Sequence, residues 1–227
     1  MASTYNLLMP EKRVGHPYQE SGTGPVDGTN VNLTYHHVVP YSTLRKFWAK
    51  AAGANMLRRS TFFEKLRPGL TKRFYVDLTK ASGSQFKDSE IGQVDTLAGR
   101  FYSGDAVHTS DEAATYRRPE GWDNFLIVYT WLPGNLFLGP TSRSDDPGDK
   151  FEEVARPIFA KYGDARFDEL RSLDAAIRTY LDSADGTSSG PAFKLLANVA
   201  RHPRLVPFNG TEWKLNDEGV AYVKKVR

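Results

Sequence analysis

The chain has 227 residues, 40% hydrophobic and 25% charged, with a net charge of +3 and no cysteine. That is an ordinary globular composition with enough length for a proper core, and it excludes disulfides, zinc–thiolate centres and thiol catalysis. The longest apolar run, residues 125–129, is too short to cross a bilayer, and residues 1–19 lack the basic start and apolar block of a cleaved signal. The expectation is therefore no membrane partner, and a protein that is cytoplasmic or delivered to a target cell without a cleaved signal peptide.

Residues 1–30 are polar and rich in Gly, Pro and Ser, and read as an irregular lead-in to a single domain over 31–227. Residues 31–39 predict a strand. A helix follows, capped by Ser42, with Leu44, Phe47, Trp48 and Ala51 on one face. A second helix is predicted over 56–66, ending before Pro68-Gly69, and a short strand over 74–78. Residues 80–121 are harder to read, with helix expected within 89–101 and around 111–116. Residues 124–131 carry the strongest strand signal in the chain. Pro133-Gly134 predicts a turn, after which 135–138 resumes in extended form. Pro147 is expected to open a helix that Pro157 kinks or divides. Phe167, Leu170, Leu173, Ile177 and Leu181 predict a long amphipathic helix. Residues 182–190 read as a link, 193–199 as a short helix, and the tail over 213–226 as extended, or helical after Asn216. The fold class is α+β.

The segment Tyr35-His36-His37-Val38-Val39-Pro40 holds two of the five histidines, adjacent, at the end of a strand-like run. One imidazole can ligate a metal while another, neutral near pH 7, acts as a general base. Side chains of neighbouring strand residues point to opposite faces, so both rings reach one site only where the strand ends or bulges. Pro40 favours such an ending. Between Arg45 and Arg73 stand nine basic residues (Arg45, Lys46, Lys50, Arg58, Arg59, Lys65, Arg67, Lys72, Arg73) against one acid, Glu64, an excess of eight. Such a patch attracts polyanions, although a solvated helical face explains it as well.

His36-His37-x-x-Pro40, then Gly134-Asn135 after a later strand, then an acidic segment leading into a helix, resembles the HNH endonucleases. These share a ββα-metal fold and occur among colicin nucleases and bacterial polymorphic toxins. The resemblance covers about ten residues at each end. It implies a small ββα-metal core carrying a large, mainly helical insertion at about 41–122 and C-terminal helices. It assigns His36 to the metal and His37 to the general base, and Asn135 to fixing the base-bearing segment or joining the site. No histidine follows Asn135 where further ligands of the family often lie, and Asp145 and Asp146 are the nearest replacements. Carboxylates suit a hard divalent ion, Mg²⁺ or Mn²⁺, rather than a three-histidine zinc site. Arg143, eight residues past Asn135, is placed to stabilise charge on a phosphate in flight. Arg45, Lys46, Lys50, Arg58 and Arg59 would grip nucleic acid, DNA before RNA.

The resemblance further implies a bacterial toxin or effector restrained by an immunity protein. The competing expectation is a non-catalytic binding module for nucleic acid or protein that uses residues 45–73, or a nuclease scaffold that has lost activity. Asn135 as a turn residue and Asp145-Asp146-Pro147-Gly148 as a loop and helix cap are the plain alternatives. His16, His108 and His202 read as ordinary surface residues. Trp48, Phe62, Phe63 and Trp131 read better as core than as base-stacking groups. No phosphate-binding glycine loop, HExxH or nucleophile elbow is present.

Overall fold

The β-branched and aromatic residues Val31, Thr34 and Tyr35 favour extended backbone. The computed structural model, which describes residues 2–18, 21–66, 87–161, 165–184 and 188–224, places them in a long strand. Three strands precede the first helix: β1 (Ser3–Tyr5), β2 (Thr23–Val26) and β3 (Thr29–His37). Asp27 and Gly28 both have positive φ, 47° and 82°. They make the two-residue turn that folds β2 back on β3, the geometry that Asp-Gly favours. The described residues of 1–30 therefore carry two paired strands where an irregular lead-in was expected, and Leu7 among them is fully buried.

Helix α1 (Tyr41–Gly53) follows, with Pro40 rather than Ser42 at its N-cap. The helix expected over 56–66 is limited to α2 (Thr61–Leu66), because Asn55 and Arg59 adopt positive φ, 55° and 56°, in the preceding turns. The strand expected over 74–78 lies outside the described residues. Helix α3 (Asp88–Ser103) ends at Gly104 in the left-handed conformation and leads into β4 (Ala106–His108), which pairs in parallel with β1. A single 3₁₀ turn, Glu112–Ala114, stands where helix was expected around 111–116.

Residues 124–131, expected as a strand, fold as helix α4 (Trp122–Thr130). A run that is apolar on every side has no periodicity to separate a buried strand from a buried helix, and here packing decides. Trp48 is fully buried, its ring 5.1 Å from Phe125 and 5.2 Å from Tyr129, with Phe101, Trp122 and Phe63 completing the cluster. Only a helix presents Trp122, Phe125 and Tyr129 to one neighbour.

A 3₁₀ turn, Pro133–Asn135, leads into β5 (Leu136–Pro140), antiparallel to β3 with His36 opposite Phe137 and His37 opposite Leu136. No helix starts at Pro147. Helix α5 (Arg156–Ala160) comes later, and Pro157 stands at its opening, where a missing N–H costs nothing. Helices α6 (Arg166–Asp182) and α7 (Gly190–Val199) pack on each other, α6 on α1 and α7 on α2. The tail is a hairpin, β6 (Trp213–Leu215) with β7 (Ala221–Val223), and is not helical after Asn216. The fold is α+β, with small separate sheets among helices. Among the described residues no helix is long and apolar enough to cross a membrane.

Candidate active site

Among the described residues β2 pairs with β3 as far as Asn32, with one further bond from the Leu33 N–H to the Gly22 carbonyl, and Thr34 to His37 carry β3 beyond that point. A cavity of about 840 Å³ opens there, lined by Thr34, Tyr35, His36 and His37. Four consecutive residues of the strand line it, so residues of both strand faces border one cavity. This is how adjacent histidines, on opposite faces, reach one space. The N-terminal turn of α1 and the loop after β5 close the other sides.

The strand's end is pinned from behind. The Asn135 side chain is 1% exposed. Its Nδ2 donates to the Val39 carbonyl at 2.9 Å, and its Oδ1 accepts from the Val39 N–H at 2.7 Å. The Val38 N–H donates to the Asn135 carbonyl at 3.0 Å. Asn135 therefore does not line the cavity; it fixes the backbone that follows His37.

The His36 ring stacks on Phe137 with centroids 5.1 Å apart, and its Nε2–H donates to the Pro140 carbonyl at 2.9 Å. A carbonyl only accepts, so Nδ1 keeps its lone pair. Burial, with the positive field of Arg143, lowers its pKa to about 4, against the Pro140 bond and Asp146. The His37 ring lies 4.7 Å from Trp131, and its Nε2–H donates to the Thr130 carbonyl at 2.8 Å. Its Nδ1 accepts from Nη1 of Arg13 at 3.2 Å. Burial, against the Thr130 bond, lowers its pKa to about 3, with Arg13 and His36 adding to the effect. Both rings are neutral at pH 7.

Arg143 is not a cavity residue. Its side chain is fully buried, bonded by Nη1 and Nη2 to the Glu152 carboxylate at 3.0 Å each and by Nε to Asp145 at 3.0 Å. Burial opposes its charge, but Glu152 and Asp145 outweigh that and raise its pKa. With both carboxylates engaged, Arg143 shapes the loop over 141–152 instead of meeting a substrate. Asp145 also accepts from the Val223 N–H at 2.8 Å, which ties that loop to β7. Asp146 does line the cavity, and its charge is felt at His36.

Among the described residues no three His, Asp or Glu side chains are grouped as a metal cage. The cavity's candidate donors to a divalent ion are the Nδ1 of His36 and the carboxylates of Asp146, Asp149 and Glu11. An imidazole whose other N–H is fixed by a backbone carbonyl is the usual orientation of a metal-binding histidine. A hard ion such as Mg²⁺ keeps several waters and needs few protein ligands.

Of the five basic residues expected to grip nucleic acid, Arg45 alone lines the cavity. Lys50 instead donates to the Tyr180, Leu181 and Ser183 carbonyls at 2.8, 3.1 and 2.8 Å, closing the end of α6. The exposed Lys46, Arg58 and Arg59 stand outside the cavity lining, Arg58 against Gly104. Residues that sequence reasoning missed come from the N-terminal segment: Glu11, Lys12 and Arg13 line the cavity. Tyr41 and Trp48 donate to the carbonyls of Pro10 and Leu7, and Trp131 to that of Val14. The Asp27-Gly28 turn was the available signal that this segment folds onto the domain.

The p9 protein of Acyrthosiphon pisum secondary endosymbiont phage 1 is 28% identical to this chain over 174 residues, covering 74% of the chain and 45% of p9. The chain thus spans less than half the length of that relative. No protein-family model and no solved structure matches it.

Proposed function

We propose that this protein is a metal-dependent endonuclease that hydrolyses phosphodiester bonds of nucleic acid, with His37 as the general base and His36 and Asp146 as ligands of a divalent cation. The observation that carries the reading is the double hydrogen bond from the Asn135 amide to Val39, which holds the end of the His36-His37 strand beside a cavity shared with Asp146 and Arg13. A structural histidine pair needs no such anchor and no common opening.

His37 has the geometry of a proton acceptor. Its Nε2–H is committed to the Thr130 carbonyl, so the proton of an attacking water goes to Nδ1. An anionic phosphate brought into the cavity favours the protonated ring and so raises its basicity during the reaction. A positioned base of this kind contributes about 10²–10⁴ in rate. Asn135 is a positioning residue that acts through Val39. A divalent cation held by His36 and Asp146 would supply Lewis-acid stabilisation of charge on the phosphate and the leaving oxygen.

Incubation of plasmid DNA and of RNA with the protein and Mg²⁺ or Mn²⁺, then with EDTA, tests the reading. Cleavage is expected with the metal, lost with EDTA and lost in His37→Ala. Cleavage by His37→Ala at the wild-type rate would refute the assigned base. A nuclease at large in its own cell damages that cell, so we also read the protein as an effector held in check by an immunity protein. Expression without a second gene is then expected to be toxic, and healthy growth at high expression counts against this.

A further inference from the structure

The hydrolytic reading uses His36, His37 and Asp146, and leaves the cavity's cations without a task. Arg13 and Arg45 line the cavity together with Lys12, and both arginines act electrostatically on the Tyr41 phenol. The Nε of Arg45 is buried and, among the described residues, has no hydrogen-bond partner. Arg45 stands one turn into α1, a helix of 13 residues with no side-chain cap and no acidic residue in its first turn. Tyr41 and Ser42, in that first turn, also line the cavity, and first-turn N–H groups have no carbonyl partner within a helix. Four acids also line the cavity, Glu11, Asp146, Asp149 and Glu152, of which Glu152 is paired with Arg143 and Asp146 is assigned to the cation in the nuclease reading. Arg13 donates to the very lone pair of His37 that must accept a proton.

We propose that Arg13, Arg45 and the opening turn of α1 form a phosphate subsite for a nucleic-acid strand, and that Arg13 leaves His37 to complete it. The strand as ligand rests on the nuclease reading; the anion chemistry stands on the cavity itself. Guanidinium groups and free helix N–H groups are the donors that phosphate recognition uses. Transfer of Arg13 to the phosphate uncovers the base only once a substrate is in place.

The test reads binding rather than cleavage. Arg13 lies over the Trp131 ring, 5.6 Å from its centroid, so the Trp131 indole N–H in a ¹H–¹⁵N spectrum reports its departure. Inorganic phosphate and a short single-stranded oligonucleotide, each in EDTA, are expected to shift that resonance. Arg13→Gln and Arg45→Gln should each weaken oligonucleotide affinity by about tenfold or more, the value of a charge-assisted hydrogen bond. Arg45→Lys should recover part of the loss and Arg58→Gln should lose none, with all four variants keeping the wild-type spectrum elsewhere. Undiminished oligonucleotide binding in Arg13→Gln and Arg45→Gln overturns the proposal, and so does phosphate binding without oligonucleotide binding. Strand binding through both arginines with plasmid left intact in Mg²⁺ supports the subsite while removing the nuclease reading.

Discussion

Asn135 is the residue on which the site's geometry turns, because one buried amide satisfies both backbone groups of Val39. In Asn135→Ala the Val39 N–H and carbonyl lose their partners in a place closed to water. Each such group costs about 1–3 kcal/mol. We expect urea denaturation to show a loss of about 2–4 kcal/mol, together with a loss of nuclease activity in the fraction that remains folded. His37→Ala separates the two effects in part: it should abolish cleavage while leaving one buried acceptor, the Thr130 carbonyl, without a partner instead of two buried groups, since Arg13 is exposed. Equal stability of Asn135→Ala and wild type would show that Val39 needs no anchor.

At the scale of elements, what matters is what a charged side chain faces, and composition does not report that. Lys50 belongs to the basic stretch 45–73, yet its ammonium caps three carbonyls at the end of α6. Lys50→Gln should therefore lower thermal stability, by about 1–3 kcal/mol for the lost charged hydrogen bonds, and leave oligonucleotide affinity and its salt dependence unchanged. Arg45→Gln should do the reverse and reduce the salt slope by about one. A changed salt slope in Lys50→Gln would return Lys50 to the binding surface.

The same distinction explains how much of the molecule was legible. The strand with its histidine pair, the α1 face with Phe47 and Trp48, and the periodic helix over 166–182 were readable, because each repeats along a single element. Helix α4 was not, since Phe125 to Tyr129 is apolar on every side and only the Trp48 cluster selects the helix. Arg143 stands eight residues beyond Asn135, but its sequence position could not show that Glu152 and Asp145 would claim both sides of its guanidinium. Arg13 could not be placed, because the segment that carries it is held by Tyr41, Trp48 and Trp131, which stand far along the chain.

On the scale of the whole molecule, the cavity makes stability depend on acid. His36 and His37 are neutral in the fold, with pKa values of about 4 and 3, against 6.5 for an unhindered histidine. His108 is lowered too, by burial, and its Nδ1 accepts from the Leu7 N–H at 3.1 Å. Between the folded and unfolded pKa values the unfolded chain binds protons that the folded chain does not, so stability rises with pH across that interval. The contribution is complete above 6.5 and drains away as pH falls toward 4 and then 3. One pKa unit is worth about 1.4 kcal/mol, so at pH 5 each cavity ring costs at most about 2 kcal/mol relative to pH 7. Urea midpoints at both values should therefore differ clearly. The double variant His36→Gln/His37→Gln should flatten the dependence, leaving the smaller part that belongs to His108. A fold that is equally stable at pH 7 and pH 5 would mean that the two rings take up protons freely, and so stand in water and not packed against Phe137, Trp131 and the two carbonyls.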